Sequence, residues 1–313
     1  MEHIQPDNIP YADMHKKPLK ALSPKELLEL DIPEPKWLLK PFVPQSGLVQ
    51  VFADRGVGKT FFVLSLIISL ASGKSFLGFK PDDQCKIIWY DGEMSTALLK
   101  ERVNLLISQL TELEKAYFND NVKLVLSGEQ DFGMPDIGYP ESYFYYDHWL
   151  EHVDLIVFDN LMSLTSLPIN DNDAWAGFNN WCISLRNKGI TVLHVHHTGR
   201  GGGKHGMGAK RLEQPLDLII GLRKPADYEM SQGCDFNIEF TKSRRFLGED
   251  ASPMRAMLDS DGKWHRLEYA PEHDWDELQK EHGSVRNIAK ATGVSKSEVQ
   301  RKLKEASVPN QKG

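Results

Sequence analysis

The chain has 313 residues, 41% hydrophobic and 26% charged, with a formal net charge of −7, a profile expected of a globular α/β-sized core with room for a small appended domain. That charge excludes a protein that coats nucleic acid indiscriminately, although clustered cations can still build a local nucleic-acid site. No apolar run is long enough to span a bilayer, the start MEHIQPDNIPYADMHKKP lacks a basic-then-apolar signal pattern, and Cys85, Cys182 and Cys234 are scattered, so a cytoplasmic protein without membrane contact is expected.

Residues 1–45 are Pro-rich and only patchily apolar, the composition of an N-terminal arm suited to a subunit contact. Within it SPKELLEL predicts a short helix, with Ser23 as N-cap, Pro24 in the first turn and Glu26 completing a capping box. From residue 46 to about 260, short apolar runs alternate with helical patterns, the signature of βαβ units and a mostly parallel sheet. GLVQVFA is the first predicted strand, and ADRGVGKT follows it directly, leading into an apolar helix from Phe61.

This loop has the parts of a phosphate cradle. Gly56 and Gly58 let backbone N–H groups turn inward, Lys59 reaches the β- and γ-oxygens, Thr60 offers a hydroxyl to Mg²⁺, and the helix start faces the anion. Ala53 stands where the usual first glycine would be. The candidate nucleotide contacts are Asp54, Arg55, Gly56, Val57, Gly58, Lys59, Thr60 and Phe61, and the expected ligands are ATP and Mg²⁺. KIIWYDGEMS ends a second strand in Asp91 and then Glu93, an acid placed to polarise the attacking water. VDLIVFD ends a third in Asp159, suited to holding Mg²⁺ through water.

The loop LMSLTSLPINDND follows Asp159, and Trp175, Phe178 and Trp181 then recur at helical spacing as core residues. ITVLHVHH is a strand whose period-two alternation sends His194 and His196 to one face and His197 to the other. With no carboxylate or Cys partner in view it is a poor metal site; an imidazole at the strand's carboxyl end is better suited to sensing the γ-phosphate. Next, TGRGGGKHGMGAKR is a Gly-rich basic loop whose Arg200, Lys204, Lys210 and Arg211 are candidate contacts to a single-stranded DNA backbone. LDLIIGLRK and FNIEFTKSR would extend the sheet, and residues 261–280 have the composition of a linker. SVRNIAKATGVSKSEVQRKLKEA, within 281–313, has the form of a helix-turn-helix. Its inner stripe is Val285, Ile288, Ala289, Val299 and Leu303, its turn Gly293 and its second cap Ser295 with Glu298. Lys296, Arg301, Lys302 and Lys304 would face outward toward DNA.

In order, PKWLLKPFVPQSGLVQVFADRGVGKT, DGEMS, LIVFDN, LHVHHTG, GAKRLEQPLDLIIGL and FTKSRR resemble the RecA-like ATPases. More narrowly, they resemble the RepA-type replicative helicases of plasmids and other mobile elements. The resemblance spans about residues 36–246. It implies an α/β RecA-like P-loop fold, with a mostly parallel central sheet flanked by helices and a small helical C-terminal segment beside it. It also implies that Glu93 is the catalytic base and His196 or His197 the γ-phosphate sensor. Lys242 and Arg244 would enter the neighbouring subunit's site as a lysine and an arginine finger, with Arg245 as the alternative finger. The implied assembly is a hexameric ring, a helicase or translocase on DNA, loaded by a replication-initiation or loading protein. Two other functions stay open: an ATP-controlled DNA-binding regulator or loader using the helix-turn-helix, and a nucleotide-binding interaction module without turnover.

Overall fold

The computed structural model describes residues 20–32, 34, 36–168, 171–197, 210–229, 233–246, 248–269, 275–292 and 294–306. The chain divides into two units, Met1–Pro35 and Lys36–Gly313. In the first, the helix Pro24–Leu28 starts as its sequence predicts. Ser23 N donates to Glu26 Oε2 at 2.7 Å and Glu26 N donates back to Ser23 Oγ at 3.3 Å. Its described residues are all exposed.

The second unit is built on a nine-stranded sheet of order β11-β10-β9-β8-β3-β7-β6-β4-β5. Six strands are parallel: β3 (Leu48–Ala53), β4 (Ile87–Asp91), β5 (Val122–Leu126), β6 (Leu155–Asp159), β7 (Thr191–His197) and β8 (Leu218–Arg223). Three continue the sheet antiparallel: β9 (Cys234–Ser243), β10 (Met254–Leu258) and β11 (Trp264–Leu267). Strands β3, β4 and β6 are buried along their whole length, which accounts for their unbroken apolar runs, since helices cover both faces of a parallel sheet. On one face Val49, Val51 and Val195 pack against the helix Lys59–Ser72. On the other, Leu48, Phe52 and Val192 meet the helix Ala176–Asn187, where Trp175, Phe178 and Trp181 are buried as their spacing predicts.

Two boundaries differ from expectation. Residues 36–45, assigned to the arm, instead form the hairpin β1 (Trp37–Leu39) and β2 (Val43–Pro44), with Leu39, Phe42 and Val43 buried in the core. The segment expected to be a linker contains β11, whose Trp264 donates its indole N–H to Ser65 Oγ at 2.7 Å, followed by the helix Trp275–His282. Polar composition hid β11 because it is an edge strand, wet on one side. Strands β5 and β10 were likewise not among the six predicted.

The helices Trp275–His282, Val285–Thr292 and Lys296–Ala306 contact one another, and Ile288 and Val299 are fully buried between them. Val285, Ala289 and Leu303 are half-buried. Gly293 and the Glu298 side chain lie outside the described residues, so the expected turn and second capping box do too. Among the described residues no helix is long and apolar enough to cross a membrane.

A buried polar pair sits in the middle of the sheet. Gln50 of β3 lies in register with His194 of β7, and both are buried. Burial, with His196 adding to it, holds the His194 imidazole down to about 3. The unfolded chain binds a proton on this ring near pH 6.5 and the native chain does so only near 3, so stability falls with pH through that window. This one group should remove about 2 kcal/mol by pH 5 relative to neutrality. His194→Gln should therefore show a shallower loss of urea midpoint between pH 7 and pH 5 than the parent chain. Parallel losses in both chains would refute a neutral, buried His194.

Candidate active site: a phosphate-binding pocket at the carboxyl edge of the sheet

The carboxyl ends of β3, β4, β6 and β7 converge. Asp91 lies in register with Asp159, and Ala53 with His197. Beyond them opens a cavity of about 610 Å³, whose walls include Arg55 to Phe61, Asp91, Glu93, Leu98, Arg102, Asp159, Asn160, His197, Tyr228 and Gly233. The carboxyl edge of an open α/β sheet is where ligands collect.

The loop reaches its shape through Gly58, which precedes the helix Lys59–Ser72 with φ +116°. A side chain there is excluded twice over, since a Cβ would also lie 2.4 Å from Cys234 Sγ. Ala53 is accommodated because its methyl group belongs to the buried face of β3 and its backbone is not left-handed. Lys59 is buried, and its Nζ donates to the carbonyls of Ala53 and Asp54, both at 2.9 Å. Burial pulls this ammonium down to about 8. A polyphosphate would replace two carbonyls with full negative charge, the partner a desolvated cation lacks. Of the eight predicted nucleotide contacts, Arg55 to Phe61 all line the cavity; Asp54 is not among the lining residues and gives its carbonyl to Lys59.

Asp159 is buried, and its Oδ2 makes no hydrogen bond. Burial first, and neighbouring Asp91 second, push its carboxyl up to about 7, against the pull of Lys59. One orphaned carboxylate oxygen, on a cavity that Thr60 also lines, is a donor set that fits Mg²⁺, which retains water and phosphate ligands instead of a full protein cage. Asp91 serves the turn: its Oδ1 accepts from Glu93 N at 3.0 Å and Met94 N at 2.7 Å, which fixes where Glu93 leaves the strand.

Glu93 is the exposed end of a polar triad. Asn160 Nδ2 donates to Glu93 Oε2 and lies 3.2 Å from His197 Nε2, and His197 Nε2 is 3.6 Å from the same Glu93 oxygen. Asn160 follows Asp159 through a cis peptide bond, and its Oδ1 accepts from Ser163 N at 3.2 Å. Burial, followed by the Lys59 charge, lowers the His197 imidazole below its ordinary value, which favours the neutral ring. Of the two candidate sensor histidines, His197 is the one at the pocket. His196 is fully buried on the opposite face of the sheet, beside Phe52 in register, and its Nδ1 accepts from His197 N at 3.0 Å. Alternation along β7 makes the two positions mutually exclusive.

Lys242 and Arg244 lie at the other end of the sheet. Ser243 is in register with Leu218 and Ala53 with Leu222, which puts the pair about 13 Å down the strands from the pocket edge at ordinary strand rise. There Lys242 Nζ donates to the carbonyls of Glu213 (2.6 Å) and Gln214 (3.2 Å), and Arg244 Nη2 to Gln214 O at 2.8 Å. Arg244 keeps half its side chain exposed, while Arg245 donates to the carbonyls of Lys36 and Ser46.

The candidate DNA contacts are less fully placed. Arg200, Lys204 and the Lys210 side chain lie outside the described residues. Arg211 pairs with Asp173 at 2.7 Å, and its backbone N–H donates to Asn172 Oδ1 at 3.1 Å, so the loop after β6 and the return from the Gly-rich loop are joined. Lys296, Arg301 and Lys304 are exposed, whereas Lys302 is half-buried. Among the pocket residues that escaped sequence reasoning are Asn160, Arg102 and Tyr228. Arg102 was the most accessible of them, because it stands one helical turn after Leu98 on the same face. Its guanidinium lies 4.8 Å from the centroid of the Phe61 ring.

Comparison with known families gives a match over residues 15–203 to the model described as an AAA domain. Comparison with curated proteins gives no match. Among solved structures, the chain is similar to the flagellar accessory protein FlaH from Methanocaldococcus jannaschii, with TM-score 0.51, 10% identity, and coverage of 72% of this chain and 90% of that one. The fold is therefore RecA-like, a mostly parallel sheet between helices with a P-loop at its carboxyl edge.

Proposed function

We propose that this chain, which belongs to the AAA domain family, is an ATP-driven motor that assembles as a ring, hexameric in the form the sequence resemblance suggests. It moves along single-stranded DNA as a helicase or translocase in the replication of a mobile element. The observation that carries this reading is the separation of Lys242 and Arg244 from their own pocket: a half-buried lysine and an exposed arginine at the amino edge of the sheet can complete hydrolysis only in a second copy.

Each pocket residue has a role in that chemistry. The loop N–H groups of 56–60 and Lys59 hold the β- and γ-phosphates. Thr60 and Asp159 would hold Mg²⁺, which neutralises charge on the phosphate oxygens. Glu93 takes a proton from the attacking water as its oxygen bonds to the γ-phosphorus and the bond to the β-phosphate oxygen breaks, giving ADP and phosphate. Asn160 holds the Glu93 carboxylate in place, and neutral His197 sits where it can exchange hydrogen bonds with the γ-phosphate. Because β7 runs from His197 into the Gly-rich loop, a change at the phosphate is transmitted to a segment bearing Arg200 and Lys204.

The test is a mass measurement with and without an ATP analogue and a single-stranded oligonucleotide, followed by ATPase and strand-displacement assays on the same sample. A ring whose ATPase rises with single-stranded DNA and which displaces a strand supports the motor; a monomer under all conditions overturns it. The exposed Lys296, Arg301 and Lys304 on one short helix favour a second reading, a regulator or loader that binds duplex DNA. A footprint at one duplex site without unwinding would select it.

A further inference from the structure

The β8–β9 connection reaches the cavity at Tyr228 and Gly233, and a charge triad ties its two limbs together. Arg255 of β10 donates from Nε to Asp235 Oδ1 at 2.9 Å and from Nη2 to Asp235 Oδ2 at 2.7 Å, a two-pronged pair. Its remaining Nη1 donates to Asp227 Oδ2 at 3.0 Å. Asp235 is completely buried and Arg255 nearly so, whereas the Asp227 side chain is 63% exposed. One guanidinium therefore joins the two limbs of the connection, the loop just before Tyr228 and the first turn of β9.

Tyr228 is further held by its hydroxyl, which donates to Gly233 O at 3.0 Å, and Lys224 Nζ lies 4.3 Å from the ring centroid. A buried ion pair is a poor device for stability, since well-packed apolar side chains serve as well without the desolvation cost. What it adds here is geometry: the fork of Arg255 accepts one arrangement of the two carboxylates. With phosphates held at the loop 56–60, the rest of the cavity, whose walls include Leu98, Arg102, Tyr228 and Gly233, is left for the ribose and base.

We propose that Asp227 and Arg255 are positioning residues that hold Tyr228 and Gly233 as a fixed wall for the nucleoside end of the ligand. The inference rests on the pocket being an ATP site. Asp227 is the place to test it, because its exposure lets it change without unpairing the buried Asp235. In full-length protein, Asp227→Ala should weaken binding of a fluorescent ATP analogue about tenfold, while inorganic tripolyphosphate stays within about twofold of the parent. KM for ATP should rise while kcat stays within about twofold, and Asp227→Glu should restore most of the affinity. Lys59→Ala, by contrast, should lose both ligands. Unchanged affinity for the ATP analogue in Asp227→Ala, or equal losses for both ligands, overturns the positioning role and leaves the ATP site standing. A parent chain that binds neither ligand overturns the ATP reading and the wall with it.

Discussion

Glu93→Gln is expected to bind an ATP analogue as the parent does while turnover falls on the order of 10²- to 10⁴-fold, the usual contribution of a placed general base. The substitution keeps the shape of the side chain and an oxygen to accept from Asn160, but it removes the carboxylate that takes the proton from water. The fold should be unaffected, because 60% of the Glu93 side chain is exposed and the turn beneath it is held by Asp91. Equilibrium binding with steady-state phosphate release makes the comparison. Hydrolysis at the parent rate would remove Glu93 from the mechanism. Lost binding would instead make it a structural element of the pocket.

The Arg244→Ala chain should fold, assemble and bind nucleotide, yet hydrolyse it slower by a factor on the order of 10³ to 10⁵, the worth of a guanidinium on the transition-state charge. Its local bonds are a carbonyl at 2.8 Å and Asp217 at 3.9 Å on a half-exposed side chain, so stability should change by less than about 1 kcal/mol. The decisive measurement mixes Arg244→Ala with Lys59→Ala. Neither hydrolyses ATP alone, but where a Lys59→Ala copy presents its Arg244 to the intact pocket of an Arg244→Ala copy, one working site forms. Recovered activity in the mixture, rising with the chance of such neighbours, is the expected result. A mixture as silent as its parts would mean that Arg244 does not act between subunits. The same experiment with Arg245→Ala should show little, since Arg245 is half-buried and bridges the carbonyls of Lys36 and Ser46, whereas Arg244 is exposed.

Much of the site was visible in the linear chain because its chemistry sits at strand ends. An apolar run followed by Gly56, Gly58, Lys59 and Thr60, and two further runs closing in Asp91 and Asp159, are contiguous features, and a parallel sheet brings all such ends to one edge. The edge strands β5 and β11 were less visible, because half-solvated strands do not stand out from loops in composition.

Contiguous patterning thus sets the element order of this chain, the phosphate loop, the acids behind it and the alternation of the histidines. It does not say which face of β7 meets the phosphate. That depends on the helix Lys59–Ser72 packing on the side of Val195 and His197, which leaves His196 against the other layer. Nor does it bring Asn160 to Glu93, 67 positions away, Tyr228 to the cavity, or Arg255 to Asp227 and Asp235. Such contacts arise from strand pairing and layer packing between segments far apart in the chain, and no local period encodes them. The place of Lys242 and Arg244 at the amino edge has the same origin, because only the antiparallel pairing of β9 with β8 carries them away from their own pocket.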